Sequence, residues 1–274
     1  MYGRQECRLY PVSACKKVIK AARPSPLQHL LLYPITMNYA VILAGGTGSR
    51  VGGDVPKQLL VMGGCTVLEH SVGAFASHPM IHEVLIVCHP STFGEVEGII
   101  SRRQASGEWL SVCRIVEGGS TRAASSLAGI RAVQELSKGD DSPCILFHDA
   151  ARPLVSADII TRVCRTLLIH RVVNVGIPVV DTVVEYDGMR QTAVLDRSRL
   201  LRVQTPQAFH LHTIAEAYRM ALADPAFTAT DDCGIVMRYL PYIPVHVVEG
   251  DERNVKLTYA SDIPMFEYLL KQKH

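Results

Sequence analysis

From Tyr39 onward the chain alternates short β-branched runs with longer stretches of helical periodicity, and this alternation narrows the fold more than any other feature. Strand-like runs fall at Tyr39 to Ala44, Glu83 to Cys88, Val112 to Val116, Cys144 to Phe147 and Val172 to Ile177. Helical patterns lie near Val67 to Ala76, Phe93 to Arg103, Arg122 to Leu136 and Ala157 to Leu168. Successive strand–helix–strand units predict an α/β fold: a mostly parallel sheet with helices on both faces and ligands at the carboxyl ends of its strands. Between Val179 and Val194 the pattern breaks. Asp187 and Gly188 mark a hairpin turn beside Val183, Val184, Glu185 and Tyr186, which predicts a β-arm leaving the sheet at about 179–200. A helix near Ile214 to Leu222, a strand at Val245 to Glu249 and a closing helix with Ile263, Phe266 and Leu270 on one face complete the pattern.

A chain of 274 residues that is 48% hydrophobic can bury a large core, which excludes disorder as its main state; residues 38–274 read as a single domain. Lys and Arg number 28 against 26 Asp and Glu, too even a balance to steer nucleic acid. The first 37 residues hold six of the basic side chains (Arg4, Arg8, Lys16, Lys17, Lys20, Arg23) and one acid, Glu6. This basic extension carries Pro11, Pro24, Pro26 and Pro34, shows no periodicity and is expected to be disordered. A targeting peptide, an organelle presequence and an extension upstream of a start at Met37 all fit it; Met37 is the favoured start, and the lack of an apolar stretch argues against secretion. Apolar runs such as Ile81 to Cys88 fall far short of the ~20 residues that span a membrane. Cys7, Cys15, Cys65, Cys88, Cys113, Cys144, Cys164 and Cys233 form no C-x-x-C pair and read as reduced core thiols of a cytoplasmic protein. His78 and His82 lack the glutamate that a zinc-protease helix places between them and read as a surface pair.

Three motifs carry chemistry. The first strand runs into Ala44, Gly45, Gly46, Thr47, Gly48, Ser49, Arg50, followed by Gly52, Gly53 and then Pro56, Lys57, Gln58. Glycines let backbone N–H groups approach a polyphosphate, and Arg50 and Lys57 can neutralise charge that builds in phosphoryl chemistry, so this loop is expected to hold a triphosphate. A dinucleotide fingerprint would need glycine where Val51 stands, and a Walker loop would need lysine where Asp54 stands. At the end of the strand Cys144 to Phe147 comes His148, Asp149, Ala150, Ala151, Arg152, Pro153. A carboxylate there suits a magnesium ion or a substrate hydroxyl, although a helix cap would use the same oxygens. The third cluster, Gly118, Gly119, Ser120, Thr121, Arg122 and Ser125, opens a helix, where exposed N–H groups suit a nucleotide; a plain cap by Ser120 or Thr121 competes. Arg197, Gln204 to Gln207, Thr230 to Asp232 and Glu249 to Thr258 are weaker signals, and Asp231 with Asp232 could simply cap the next helix.

Taken in order, these motifs make residues 38 to about 270 resemble the nucleotidyltransferase family that contains the 2-C-methyl-D-erythritol 4-phosphate and ribitol 5-phosphate cytidylyltransferases. The motifs that carry the resemblance are the Ala44 to Arg50 loop with Pro-Lys-Gln, Gly118-Gly119, His-Asp-Ala-Ala-Arg-Pro, Thr205-Pro206-Gln207, Thr230-Asp231 and Asn254 to Thr258. The resemblance implies a Rossmann-like fold and transfer of a cytidylyl group from CTP to a sugar-alcohol phosphate, with Mg²⁺ as cofactor. It implies a catalytic role for Arg50, Lys57, Arg197 and Lys256, and nucleotide contacts from Ala44, Gly45, Gly46, Thr47, Gly48, Gly118, Gly119, Arg122 and Ser125. Asp149 would face metal and acceptor, with Arg152, Thr182 and Thr230 on the acceptor. It also implies a homodimer, in which Arg152 and the arm around Thr182 reach the neighbouring subunit. Methylerythritol phosphate is the preferred acceptor; ribitol 5-phosphate and a non-catalytic nucleotide-sensing module are the alternatives.

Overall fold

A computed structural model describes residues 10–11, 36–46, 55–140, 142–228 and 231–272. Its elements run β1 (Tyr10–Pro11), β2 (Asn38–Ala44), β3 (Val61–Met62), β4 (Cys65–Thr66), α1 (Val67–Ala76), β5 (Glu83–Cys88), α2 (Phe93–Ala105), β6 (Val112–Glu117) and α3 (Arg122–Leu136). There follow β7 (Cys144–Asp149), α4 (Ala157–Leu167), β8 (Val172–Pro178), β9 (Val184–Tyr186), β10 (Gln191–Val194), β11 (Leu201–His210), α5 (Leu211–Ala223), α6 (Asp232–Tyr239), β12 (His246–Glu249) and α7 (Ile263–Lys271). The expected strands and helices are all present, with ends shifted by a few residues at most.

The main sheet has the order β1-β6-β5-β2-β7-β11-β8-β12. β2 pairs in parallel with β5 on one side and β7 on the other. The chain winds outward through β5 and β6 and then returns to lay β7 on β2's opposite edge. This reversal opens a crevice at the carboxyl ends of β2 and β7, where open α/β sheets bind ligands.

Four strands were not expected from the sequence pattern: the two-residue β1, which pairs antiparallel with β6 from within the basic extension, the two-residue β3 and β4, and β11, the longest of them. β11 runs antiparallel to both β7 and β8. Its ten residues are mixed in polarity and contain Pro206, which ordinarily argues against a central strand. The pairing with β8 shifts register between Gln204 and Ala208, which accommodates a residue that cannot donate to the ladder.

Alternation along β2 sends its side chains to two separate cores. Ala40, Ile42 and Ala44 join Leu68, Val72 and Phe75 of α1, Val96 and Ile100 of α2, and Ile160 and Val163 of α4. Tyr39 and Val41 join Ile130 and Val133 of α3, Ile214 and Tyr218 of α5, and Val236 of α6. Each fully buried large side chain here contributes about 1.5–3 kcal/mol of apolar transfer. A third, smaller core seats α7 through Phe266, with Ile263 and Leu270 packed against it, on Met62, Val67, Leu154 and Leu257. α1 starts where it does because Thr66 and Glu69 close a capping box: the Thr66 N–H donates to Glu69 Oε2 at 2.7 Å, and the Glu69 N–H donates to Thr66 Oγ1 at 3.1 Å.

The arm is a hairpin, β9 antiparallel to β10, turning at Gly188 with φ +98°. Asp187 Oδ1 fixes the turn by accepting from the N–H groups of Met189 and Arg190 at 2.9 and 2.8 Å. The six described cysteines are free and four are buried. His78 departs from its expected place on the surface. It is buried, and its Nε2 lies 3.0 Å from Thr161 Oγ1, so it fastens α1's exit to α4, while His82 Nδ1 accepts the Asn38 N–H at the entry to β2.

Candidate functional site

The crevice between β2 and β7 holds a cleft of about 410 Å³. Ala44, Gly45 and Gly46 form one wall, where β2 ends, and Lys57 stands beside them. A Cβ on Gly46 would come within 3.8 Å of Lys57 Cε, so the glycine brings backbone close to that cation. Gln58, buried, donates from Nε2 to Ala44 O at 2.9 Å, and this bond fixes Lys57 relative to the strand end. Thr47, Gly48 and Arg50 lie outside the described residues, as does Thr230.

The opposite wall is the first turn of α3. Thr121 is the cap, its Oγ1 accepting the Ala124 N–H at 3.0 Å, which leaves Ser120 free of that duty. Gly119, Arg122 and Ser125 line the cleft, and Gly118 sits just behind, its N–H bonded to Cys88 O at 2.9 Å. A helix N-terminus of 15 residues presents unpaired N–H groups and a positive dipole to an anion in the cleft. Gly119 is required sterically: an added Cβ would lie 2.3 Å from Ala124 Cβ. Gly119→Ala is expected to cost about 1–3 kcal/mol of strain in this turn and to weaken binding of a nucleoside triphosphate in the cleft by roughly tenfold, measured by titration beside a melting curve.

Asp149, at the end of β7, forms the floor. Lys256 Nζ lies 2.7 Å from its Oδ2, Arg122 Nε 3.6 Å from Oδ1, and Arg152 Nε 4.0 Å from Oδ2. Burial alone would raise its pKa, but Lys256, then Arg122 and Arg152, outweigh burial and hold the carboxyl well below the usual carboxylate range. Asp149 is therefore an ionised group at neutral pH and not a helix cap; Ser156 caps α4 instead. Arg152 was expected to reach a neighbouring subunit, but it is engaged within its own chain, donating from Nη1 to Asn254 O at 2.8 Å and from Nη2 to Val203 O at 3.3 Å. The 249–258 segment is fastened beneath the site by this bond, by Asn254 Nδ2 to Thr205 O at 2.9 Å, and by the Leu257 N–H to Ala151 O at 2.8 Å. Lys256 is aimed by these anchors. Thr182 and Arg197 do not line the cleft: Thr182 is exposed on the arm, and Arg197 donates from Nη1 to Val180 O at the arm's base.

His148 and Thr205 hold the Asp149 turn, which motif reading alone did not assign. Thr205 Oγ1 accepts the Asp149 N–H at 3.1 Å and lies 3.0 Å from His148 Nδ1, while His148 Nε2 lies 3.0 Å from Arg152 O. A neutral imidazole protonated on Nε2 satisfies all three groups. Burial pushes His148 down from 6.5 to about 4. The unfolded chain thus takes up this proton first as pH falls, and the native state is expected to lose up to about 3 kcal/mol between pH ~6.5 and ~4. His78, also lowered by burial, acts in the same direction. Urea unfolding of the ligand-free protein at both ends of that window checks this, and a flat profile contradicts it.

Two further acids divide their roles. Asp231 caps α6, accepting the Gly234 N–H at 2.9 Å, whereas Asp232 is fully buried and binds Arg122 Nη1 at 2.6 Å. Among the described residues no group of three or more His, Cys, Asp or Glu side chains is placed to hold a metal. Asp149, a single carboxylate with three cations around it, does not by itself make a site for a resident metal.

Comparisons with known proteins identify the family and the fold. Residues 38–272 match the sequence model of the family described as 2-C-methyl-D-erythritol 4-phosphate cytidylyltransferase. An enzyme of that name from Thermobifida fusca is 46% identical over 237 residues, covering 85% of this chain and 92% of the relative. A bifunctional ribulose 5-phosphate reductase/CDP-ribitol pyrophosphorylase from Haemophilus influenzae is 36% identical over 238 residues, spanning 86% of this chain but only 48% of that longer relative. The crystal structure of 4-diphosphocytidyl-2C-methyl-D-erythritol synthase from Anaerococcus prevotii superposes with a TM-score of 0.74 at 26% identity, covering 86% of this chain and 97% of that one.

Proposed function

The chain belongs to the 2-C-methyl-D-erythritol 4-phosphate cytidylyltransferase family, and from that premise we propose that its β2/β7 cleft is where a cytidylyl group passes from CTP to 2-C-methyl-D-erythritol 4-phosphate, a step of isoprenoid precursor synthesis. An acceptor phosphate oxygen attacks the α-phosphorus, a new P–O bond forms, and the α–β phosphoanhydride bond breaks as pyrophosphate leaves in line. The attacking phosphate is already ionised at neutral pH, so the reaction needs no protein nucleophile or base. The protein's tasks are to position two anions and offset their repulsion.

The observation that carries this reading is the convergence of Lys57, the α3 N-terminus and the Lys256–Asp149 pair on one cleft. Ala44, Gly45, Gly46, Gly119 and Ser125 take the nucleotide, with Arg50, Thr47 and Gly48 continuing the same loop. Lys57 and Arg50 neutralise charge on the triphosphate as it develops. Asp149 accepts from acceptor hydroxyls, and Lys256, Arg152 and Thr230 attract the acceptor phosphate. A magnesium ion held by phosphate oxygens, with Asp149 as its protein carboxylate, would supply further charge neutralisation.

The arm leaves Tyr186, Met189 and Val194 67, 83 and 64% exposed. Such an apolar arm supports a homodimer in which Thr182 and Arg197 act on the partner's acceptor. Free, largely buried cysteines support a cytoplasmic setting, and no helix among the described residues is long and apolar enough to cross a membrane.

The Haemophilus relative makes ribitol 5-phosphate the acceptor to test against. Pyrophosphate release from CTP with each polyol phosphate in turn decides between them. Faster turnover with methylerythritol phosphate is expected; preference for ribitol 5-phosphate would reassign the acceptor, and no release with either would remove the enzymatic reading.

A further inference from the structure

Arg122 stands between two carboxylates. It lines the cleft at the start of α3, with its Nε 3.6 Å from Asp149 Oδ1, but its closest bond runs the other way, from Nη1 to Asp232 Oδ2 at 2.6 Å. Asp232 has no access to solvent. Its other oxygen, Oδ1, accepts from the Tyr218 hydroxyl at 2.6 Å, and its N–H donates to Gln207 Oε1 at 3.1 Å. Gln207, equally buried, spends its amide on Asp231 Oδ2 and Asn174 Oδ1 at 2.6 and 3.1 Å. The result is a continuous chain, Tyr218–Asp232–Arg122–Asp149, from the core between α5 and α6 to the floor of the cleft.

Ion pairs this deep recover little net stability, because desolvating both charges consumes most of their attraction. What the pair does provide is direction. Asp232 draws the guanidinium toward itself, which leaves Asp149 Oδ2 to Lys256 at 2.7 Å and keeps Arg122 in a longer, 3.6 Å ion pair with Asp149 Oδ1. Without that pull, the guanidinium and the ammonium would compete for one carboxylate.

We propose that Asp232, backed by the Tyr218 hydroxyl, is a positioning residue for nucleotidyl transfer: it holds Arg122 off Asp149 Oδ2, so that Asp149 and Lys256 stay arranged for the acceptor. This inference rests on the acceptor-facing role assigned to Asp149 and Lys256. Burial and the adjacent Asp232 push the Tyr218 hydroxyl up, so it remains a donor through the working pH range.

The test uses the full chain, with pyrophosphate release measured while CTP and acceptor are varied separately, on whichever polyol phosphate the wild type turns over. That wild-type measurement checks the functional reading by itself. Asp232→Asn, which keeps shape and removes charge, is expected to lower kcat/KM for the acceptor ~10-fold or more while the KM for CTP moves less than ~2-fold. Tyr218→Phe, a one-atom deletion that keeps the ring in the core, is expected to shift the acceptor KM in the same direction by ~3-fold with the KM for CTP unmoved. In an Arg122→Met background, Asp232→Asn is expected to add less than ~2-fold, because the residue it acts through is gone. Folded variants with unchanged acceptor kinetics, parallel rises in both KM values, or full additivity with Arg122→Met would each overturn the proposal.

Discussion

Replacing Lys57 with alanine is expected to cut kcat by at least ~100-fold while the KM for CTP changes much less, the pattern for a charge that matters most when the bond is breaking. In the proposed site the nucleotide has a second set of holders that the substitution leaves intact: the Gly45–Gly46 wall, and the α3 N-terminus with its Thr121 cap. Ground-state affinity for CTP therefore survives. What is lost on the proposed reading is a preorganised cation for the charge that the leaving pyrophosphate accumulates, on a segment fixed by the Gln58–Ala44 bond. Lys57→Arg is expected to recover part of the rate, limited by the larger guanidinium. Single-turnover measurements at saturating CTP check this, and an unchanged rate constant would remove Lys57 from the chemistry. Gln58→Ala is expected to lower kcat less, by releasing Lys57 rather than deleting it.

How far a sequence reveals such a site depends on whether the signal is local. The strands of the parallel half were readable because β-branched runs bounded by loops leave a local trace, and so was the arm, whose Asp187-Gly188 turn has its own chemistry. β11 was not readable. Its polar residues are there because Gln204, Thr205 and Gln207 bond to other segments: Gln204 to Asp251, Thr205 to Asp149, Gln207 to Asp231. Pattern reading therefore saw a motif where the chain makes a central strand. The glycine loop, the Asp149 turn and the Gly118–Ser125 cluster stood out as residue types suited to phosphate chemistry, and described residues of all three line one cleft together with Lys256, whose segment was only a weak signal by itself. Their cross-links did not stand out. Arg122 to Asp232 and Asn254 to Thr205 join residues 110 and 49 positions apart, and nothing near either partner marks the other. Asp232 looked like a cap because it follows Asp231, and only its burial separates the two roles.

Lys256→Ala provides the second large effect, and it should fall on the other substrate. Lys256 Nζ is the closest cation to Asp149 and comes from a segment anchored through Asn254, so its loss leaves that carboxylate facing the cleft with only Arg122 and Arg152 at 3.6 and 4.0 Å. An acceptor phosphate then meets a less compensated negative charge and loses an attractive partner at the same point. Truncating one member of a hydrogen-bonded charge pair typically costs about 2–5 kcal/mol. Because the lysine side chain is 42% exposed, the lower end of that range applies, a ~30-fold to ~100-fold fall in kcat/KM for the acceptor. The KM for CTP should stay within ~3-fold, since the lysine is proposed to serve the acceptor. Asp149→Asn is the informative companion. It removes the repulsion as well as the hydroxyl acceptor, so in the Lys256→Ala background it is expected to restore part of the phosphate affinity while kcat stays low. An effect of Lys256→Ala confined to CTP would exchange the two halves of the cleft, and a double variant no better in acceptor KM than Lys256→Ala alone would mean that the carboxylate's charge is not what the lysine offsets.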